Sequence, residues 1–172
     1  MSKLPERHPF KGFFRNLTSR AMKQSSLSDK DLLAYLSDML IHFVRVDHLY
    51  YSPDDSQENL SCLVDMLAEM NKITGSQRRS LYKHIADYSL FILGMYPESL
   101  KGRRNVLPRS YYVDTGRRCY LAASHLESDC YGTAVFRKLA ESYERCVLSL
   151  NWFREYTHDP FYQYMLRQFG VT

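Results

Sequence analysis

Within the run "HIADYSLFILGMYPESL", residues 84 to 100, one carboxylate, Asp87, stands among side chains that are almost all apolar or aromatic. An ionised carboxylate in such surroundings is costly unless a cation or several hydrogen-bond donors meet it. Asp87 is therefore either a structural acid held by a partner, or an acid or base set in a pocket. By helical spacing it shares a face with Lys83 and His84 behind it and with Phe91 and Gly94 ahead. The structural role is the favoured one, with an arginine of "GRR" at 116 to 118 as the expected partner.

The second cluster is "YYVDTGRRCY", residues 111 to 120. Asp114, Arg117 and Arg118 lie within one turn of one another, and Tyr111, Tyr112 and Tyr120 flank them. Such a set could bind an anion through a guanidinium, with tyrosine hydroxyls orienting the bound group. The competing account is a packed helix interface. Gly116 in mid-helix costs about 0.5–1 kcal/mol relative to alanine, and close approach by a neighbouring helix explains its presence. Taken together, Asp87, Tyr88, Tyr112, Asp114 and Arg117 are the candidate lining of a pocket for a small anionic molecule.

Other chemistry finds less. Glu155-x-x-His158 and His84-x-x-Asp87 are thin metal signals, because a carboxylate-bridged di-metal bundle needs a second Glu-x-x-His and two further glutamates. Cys62, Cys119, Cys130 and Cys146 form no Cys-x-x-Cys pair and read as reduced core or boundary thiols, not as a zinc site. No Gly-x-Ser-x-Gly, phosphate-binding glycine loop or His-Glu-x-x-His occurs. The expectation is that no cofactor and no metal is bound and that no residue is catalytic.

The elements that must position these residues are helices. Only 7 Gly and 6 Pro punctuate 172 residues, and apolar side chains recur at intervals of three and four. The predicted fold is all-α, one domain of about five to seven helices. Its central helix, 77 to 96, is largely apolar, and from Ile85 to Tyr96 it is apolar on nearly every side. Ser28 is the expected cap of a helix with Leu32, Leu36, Met39, Phe43, Val46 and Tyr50 inward. Leu60, Leu63, Val64, Leu67 and Met70 line the next, which should end at Gly75, with Ser76 capping the central helix. The longest helix is expected near 133 to 157, with Val135, Leu139, Tyr143, Val147, Leu150 and Arg154 on one line. Pro160 breaks it, and "FYQYMLRQF" forms a terminal helix lying back across the bundle.

Charge divides the chain in two. Residues 1 to 24 carry six basic side chains and one acidic, a net +5, and the other 148 residues carry 17 basic and 18 acidic, a net −1. A neutral body argues against nucleic acid, and the pairs Arg78-Arg79, Arg103-Arg104 and Arg117-Arg118 read as solvated. Residues 1 to 24 form a basic amphipathic arm ahead of a helical domain at 25 to 172, with Phe10, Phe13, Phe14, Leu17 and Ala21 on one stripe. That stripe should pack onto the domain's own core; the alternative is an anionic membrane surface or a partner's groove. No apolar run approaches the roughly 20 residues of a membrane span, and no secretory signal is visible, so the expected compartment is the cytoplasm.

"DYSLFILGMYPESL" followed by "YYVDTGRRCYLAAS" resembles an uncharacterised all-helical bacterial family, in which a helix ending apolar-Gly-aromatic-Pro-Glu precedes a tyrosine-rich glycine helix. The resemblance covers about residues 81 to 124. It implies architectural roles for Asp87, Gly94, Pro97, Tyr112 and Gly116 and brings no activity. The leading expectation is a non-enzymatic helical module that binds another protein, or a second copy of itself, through an aromatic helix face. The competitors are a small-anion binder or enzyme built around Asp87 and Arg117, and a membrane-surface adaptor using the arm.

Overall fold

In a computed structural model of the chain, residues 9–43, 63–101 and 107–168 are described. Val46, Tyr50, Leu60, Cys62, Arg103 and Arg104 lie outside them, as do residues 1–8 of the arm. Among the described residues there are eight α-helices and no strand: α1 (Pro9–Gln24), α2 (Lys30–Phe43), α3 (Leu63–Glu69), α4 (Gly75–Met95), α5 (Arg109–Leu126), α6 (Cys130–Glu141), α7 (Tyr143–Thr157) and α8 (Pro160–Gln168). A 3-10 turn, Pro97–Lys101, follows α4. The fold is all-α, with one helix more than the upper expectation, and no described helix is long and apolar enough to cross a membrane.

Apolar spacing decides which faces meet. On α1, Phe10, Phe14, Leu17, Ala21 and Met22 are buried and Phe13 is half-buried. Phe14 packs on Phe153 of α7 with ring centroids 5.4 Å apart. The apolar stripe of the arm thus belongs to the same core cluster as the other helices, and only its basic face looks outward. The α1 carboxyl end closes with Ser26 at φ 54° and with the Leu27 amide donating to the Met22 carbonyl at 2.9 Å. That left-handed closure turns the chain directly into α2.

Asp29, not Ser28, caps α2: its Oδ1 accepts from the amides of Asp31 at 2.8 Å and Leu32 at 3.0 Å. On α3, Leu63 and Met66 are buried, whereas Val64, expected inward, is exposed. Gly75 does not end that helix. It begins α4 at φ +64°, which displaces Ser76 from the capping position.

α4 is the centre. It packs along α5 and also touches α2, α3 and α7. Gly94 permits the α7 contact, since a Cβ there would lie 2.8 Å from Leu150 Cδ1. The single helix expected over 133 to 157 is two helices, broken at Ser142 (φ −101°, ψ 18°). Val135, Leu139, Tyr143, Val147 and Leu150 stay buried across the break, so the apolar period runs through a backbone that does not. α8 starts on Asp159, whose Oδ1 accepts from the Phe161 amide at 2.9 Å, and Pro160 needs no such donor partner. It lies back on α1, where Arg20 donates to the Tyr162 hydroxyl at 2.9 Å.

Candidate functional site

Asp87 is 4% exposed, and three helices converge on it. Lys83, one turn earlier on α4, reaches its Oδ2 at 2.6 Å. Tyr35 of α2 and Tyr120 of α5 each donate a hydroxyl to Oδ1 at 2.6 Å. The Tyr35 and Tyr120 rings stand edge to face at 6.2 Å, and Phe136 of α6 lies against both. The Lys83 ammonium sits 5.3 Å from the Tyr35 ring centroid with its side chain about half in solvent, 47%.

This geometry gives Asp87 two neutral donors and one cation, which is what a buried carboxylate requires. Burial, reinforced by the negative charge of Asp87, pushes the Tyr35 and Tyr120 hydroxyls well above the ordinary tyrosine range. Both remain protonated donors at neutral pH and neither is a nucleophile or base there. The partner is also not the expected arginine: Arg117 and Arg118 are exposed on the far side of α5.

The proposed pocket residues therefore separate. Asp87 is buried, Tyr112 is buried and Tyr88 is half-buried against the core, but Asp114 and Arg117 are exposed. Arg117 lines a surface cleft of about 420 Å³ with Glu141, Ser142, Tyr143, Glu144 and Arg145. The cleft holds two guanidinium groups and two carboxylates, so its formal charges cancel. A second cleft, about 550 Å³, lies by the α5–α6 turn and includes Glu127, Cys130 and Lys138. Two of its charged groups are engaged: Lys138 pairs with Asp29 at 2.9 Å and Asp31 at 2.6 Å, and Arg79 pairs with Glu127, while Arg137 is exposed along the same cleft.

No protein-family model, no curated protein and no solved structure matches this chain. What it does has to be read from its own surfaces.

Among the described residues no group of three or more His, Cys, Asp or Glu side chains is arranged to hold a metal ion. Cys119 and Cys146 are free and buried, and burial pushes each thiol up to about 12. Neither is a thiolate at neutral pH. The Gly116 question is answered by Tyr143: a Cβ at 116 would lie 2.8 Å from Cε2 of its ring. The close-packing account of that glycine holds.

Exposed large apolar side chains occur on several helices, Leu121 and Leu126 of α5 and Tyr131 of α6 among them, and four lie on the last two α-helices. Leu148 is 50% exposed, Trp152 42%, Phe161 62% and Tyr164 60%. Trp152 stands 6.1 Å from the Tyr156 ring, and Tyr156 in turn carries the Arg20 guanidinium 4.8 Å from its centroid. The expectation of an aromatic helix face named no helix. The available signal was the spacing of Leu148 and Trp152, four apart on the side of α7 opposite Leu150 and Phe153.

Proposed function

We propose that this chain is a single-domain, non-enzymatic helical module that binds another protein, or a second copy of itself, through the outer face of α7 and α8. The exposure of Leu148, Trp152, Phe161 and Tyr164 on consecutive helices is the observation that supports it. Tryptophan, tyrosine and arginine are the residues that most often carry binding energy at protein contacts, because a large ring loses much water for little lost rotamer freedom.

The competing readings have less support. A small-anion binder needs Asp87 and Arg117 in one pocket, and Asp87 is occupied by Tyr35, Tyr120 and Lys83. A membrane adaptor built on the arm needs phenylalanines that α1 spends on α7 and the core. Buried free thiols at Cys119 and Cys146 fit a reducing compartment, and the cytoplasm is the proposed location.

The test is capture from a lysate of the source cells with the immobilised chain, quantified beside a Trp152→Glu/Phe161→Glu variant and with the native mass of the purified chain recorded. Proteins held by the wild type and lost by the variant, or self-capture lost in the same way, are the expected result. Identical capture by both chains, together with a small-molecule mass excess on the native monomer, would overturn this reading in favour of a ligand binder.

A further inference from the structure

Arg20 is a cation set into the aromatic surface of α7 and α8. Its guanidinium lies 4.8 Å from the Tyr156 ring centroid and donates through Nη1 to the Tyr162 hydroxyl at 2.9 Å. Each of those rings touches an exposed aromatic: Tyr156 stands 6.1 Å from Trp152, and Tyr162 stands 5.4 Å from Phe161. A guanidinium fixed by stacking and a hydrogen bond has little freedom left to lose on binding, and most of its N–H donors are unused. Arg20 is exposed, and among the described residues no carboxylate pairs with it. Lys23, one turn further along α1, is exposed and equally unpaired.

The described residues of α1 and α8 include no acid, and α8 adds Arg167. Carboxylates on the neighbouring helices are placed elsewhere. Ser149, Phe153 and Tyr156 form the edge of α7 that meets α1, through Ser25, Phe14 and Arg20. Glu144, Leu148, Asn151 and Glu155, spaced four, three and four apart, form another edge, so both glutamates lie across Trp152 from Arg20. Glu144 also shares its cleft with Arg117 and Arg145. Asp159 accepts from the Phe161 amide at the start of α8. On α2, Asp29 and Asp31 hold Lys138, and Asp38 pairs with no cation of α1.

We infer that Arg20 anchors this face by taking a side-chain carboxylate from an acidic stretch of the partner protein. Apolar residues of that stretch cover Trp152 and Phe161, and its next acid reaches Lys23. The inference rests on the interaction role proposed above and names the partner's chemistry. A carboxylate meets a guanidinium through two parallel N–H···O bonds, and the rings around Arg20 keep water from the pair once it forms. A neutral or basic partner would cover the guanidinium without an acceptor, so the same group also rejects. Lys11 and Arg15 lie about 180° and 140° around α1 from Arg20, so the cations form no continuous track for a phosphate backbone.

The experiment is selection from a displayed library of random peptides on the immobilised full chain, with affinities of the retained peptides then read by fluorescence polarisation. The wild type should retain peptides enriched in aspartate or glutamate beside aromatic or aliphatic residues, and their binding should weaken as salt rises. Arg20→Gln should bind them about tenfold more weakly and, used for its own selection, should lose the acidic enrichment. Arg20→Lys, which keeps the charge without the fork, should fall between the two. Lys23→Gln should weaken binding about threefold and keeps the test open if Arg20→Gln melts early. Arg118→Gln, on the far side of α5, should leave binding unchanged.

Retained peptides without an excess of acids, or the same excess selected by Arg20→Gln, would overturn the inference. So would phosphatidylserine vesicles or single-stranded RNA that bind more tightly than the peptides and with the same dependence on Arg20. If peptides without acids are retained and then lost by the Trp152→Glu/Phe161→Glu variant, the carboxylate fails and the wider interaction role stands. If neither a peptide nor a lysate protein is held, both fail.

Discussion

Tyr120 and Tyr143 are neighbours in the same interior, with ring centroids 6.1 Å apart and at most 1% exposure each, yet their hydroxyls are treated in opposite ways. Tyr120 donates to Asp87 at 2.6 Å. The Tyr143 hydroxyl is buried with no hydrogen-bond partner and occupies the space that Gly116 leaves empty. An unpartnered buried hydroxyl costs about 1–3 kcal/mol, which a fully buried ring offsets through its apolar area. In one region, then, the core is organised by polarity around a carboxylate; in the other it is organised by shape around a missing side chain. The Asp87 carboxylate and the gap over Gly116 are each met from within the core.

Alkaline pH acts on both regions together and has the largest expected effect. Burial raises Tyr35, Tyr120 and Tyr143 above the ordinary tyrosine range and raises Cys119 and Cys146 to about 12. A group whose folded pKa exceeds its unfolded one contributes fully below the unfolded value and loses that contribution as pH climbs toward the folded value. Unfolded thiols and phenols titrate near about 8.5 and 10. The urea midpoint should be level up to about pH 8.5 and then fall, each group adding about 1.4 kcal/mol per pH unit once its unfolded form ionises. A midpoint unchanged at pH 10.5 would mean that these groups are not buried.

Asp87→Asn separates the two regions. It removes the charge that Tyr35, Tyr120 and Lys83 all address, with an expected loss of about 3 kcal/mol. Lys83→Met should cost no more than about 1 kcal/mol, because that ammonium is half in solvent. Chemical denaturation of the two variants decides the matter. An Asp87→Asn chain as stable as the wild type would show that the carboxylate is not a structural node and would reopen its case as a functional acid.

How much of this was legible in the residues depends on whether the cause is local. The helical period and the apolar girth of α4 were legible, because i, i+3, i+4 spacing is a property of one segment. So was Lys83 at i−4 from Asp87. An arginine of 116 to 118 was expected instead, but Tyr112, Val113, Gly116, Cys119 and Tyr120 take the inward face of α5 and turn Arg117 and Arg118 outward. That stripe was present in the sequence and outweighs guanidinium chemistry. Tyr35 could not be found in this way, since nothing local to α2 says that it crosses α4 at Asp87. The break at Ser142 was hidden for the converse reason: the buried stripe keeps its period through a bend.

Gly116→Ala probes the region organised by shape. The added methyl meets the Tyr143 ring inside van der Waals distance, so one of the two helices must shift, at an expected cost of about 1–3 kcal/mol. Combining it with Tyr143→Phe removes the atom closest to the new methyl and should recover part of that loss. A pair of substitutions whose effects simply add would show that the glycine answers to something other than this tyrosine.

The sharpest form of the comparison removes the same atom from two neighbouring rings. Tyr120→Phe takes a donor from a carboxylate that keeps only Tyr35 and Lys83, and should cost about 1.5–3 kcal/mol by denaturant midpoint. Tyr143→Phe takes a hydroxyl that bonds to nothing, and what it leaves is a void smaller than a methyl group. Losing the unmet polar group favours the variant, while losing its packing against Gly116 disfavours it, so the net change should stay within about 1 kcal/mol and lie on the stabilising side. Equal losses at both positions would mean that the Tyr143 hydroxyl has a partner after all. The distinction between a core arranged by charge and one arranged by shape would then collapse into a single hydrogen-bonded network reaching from α4 to α7.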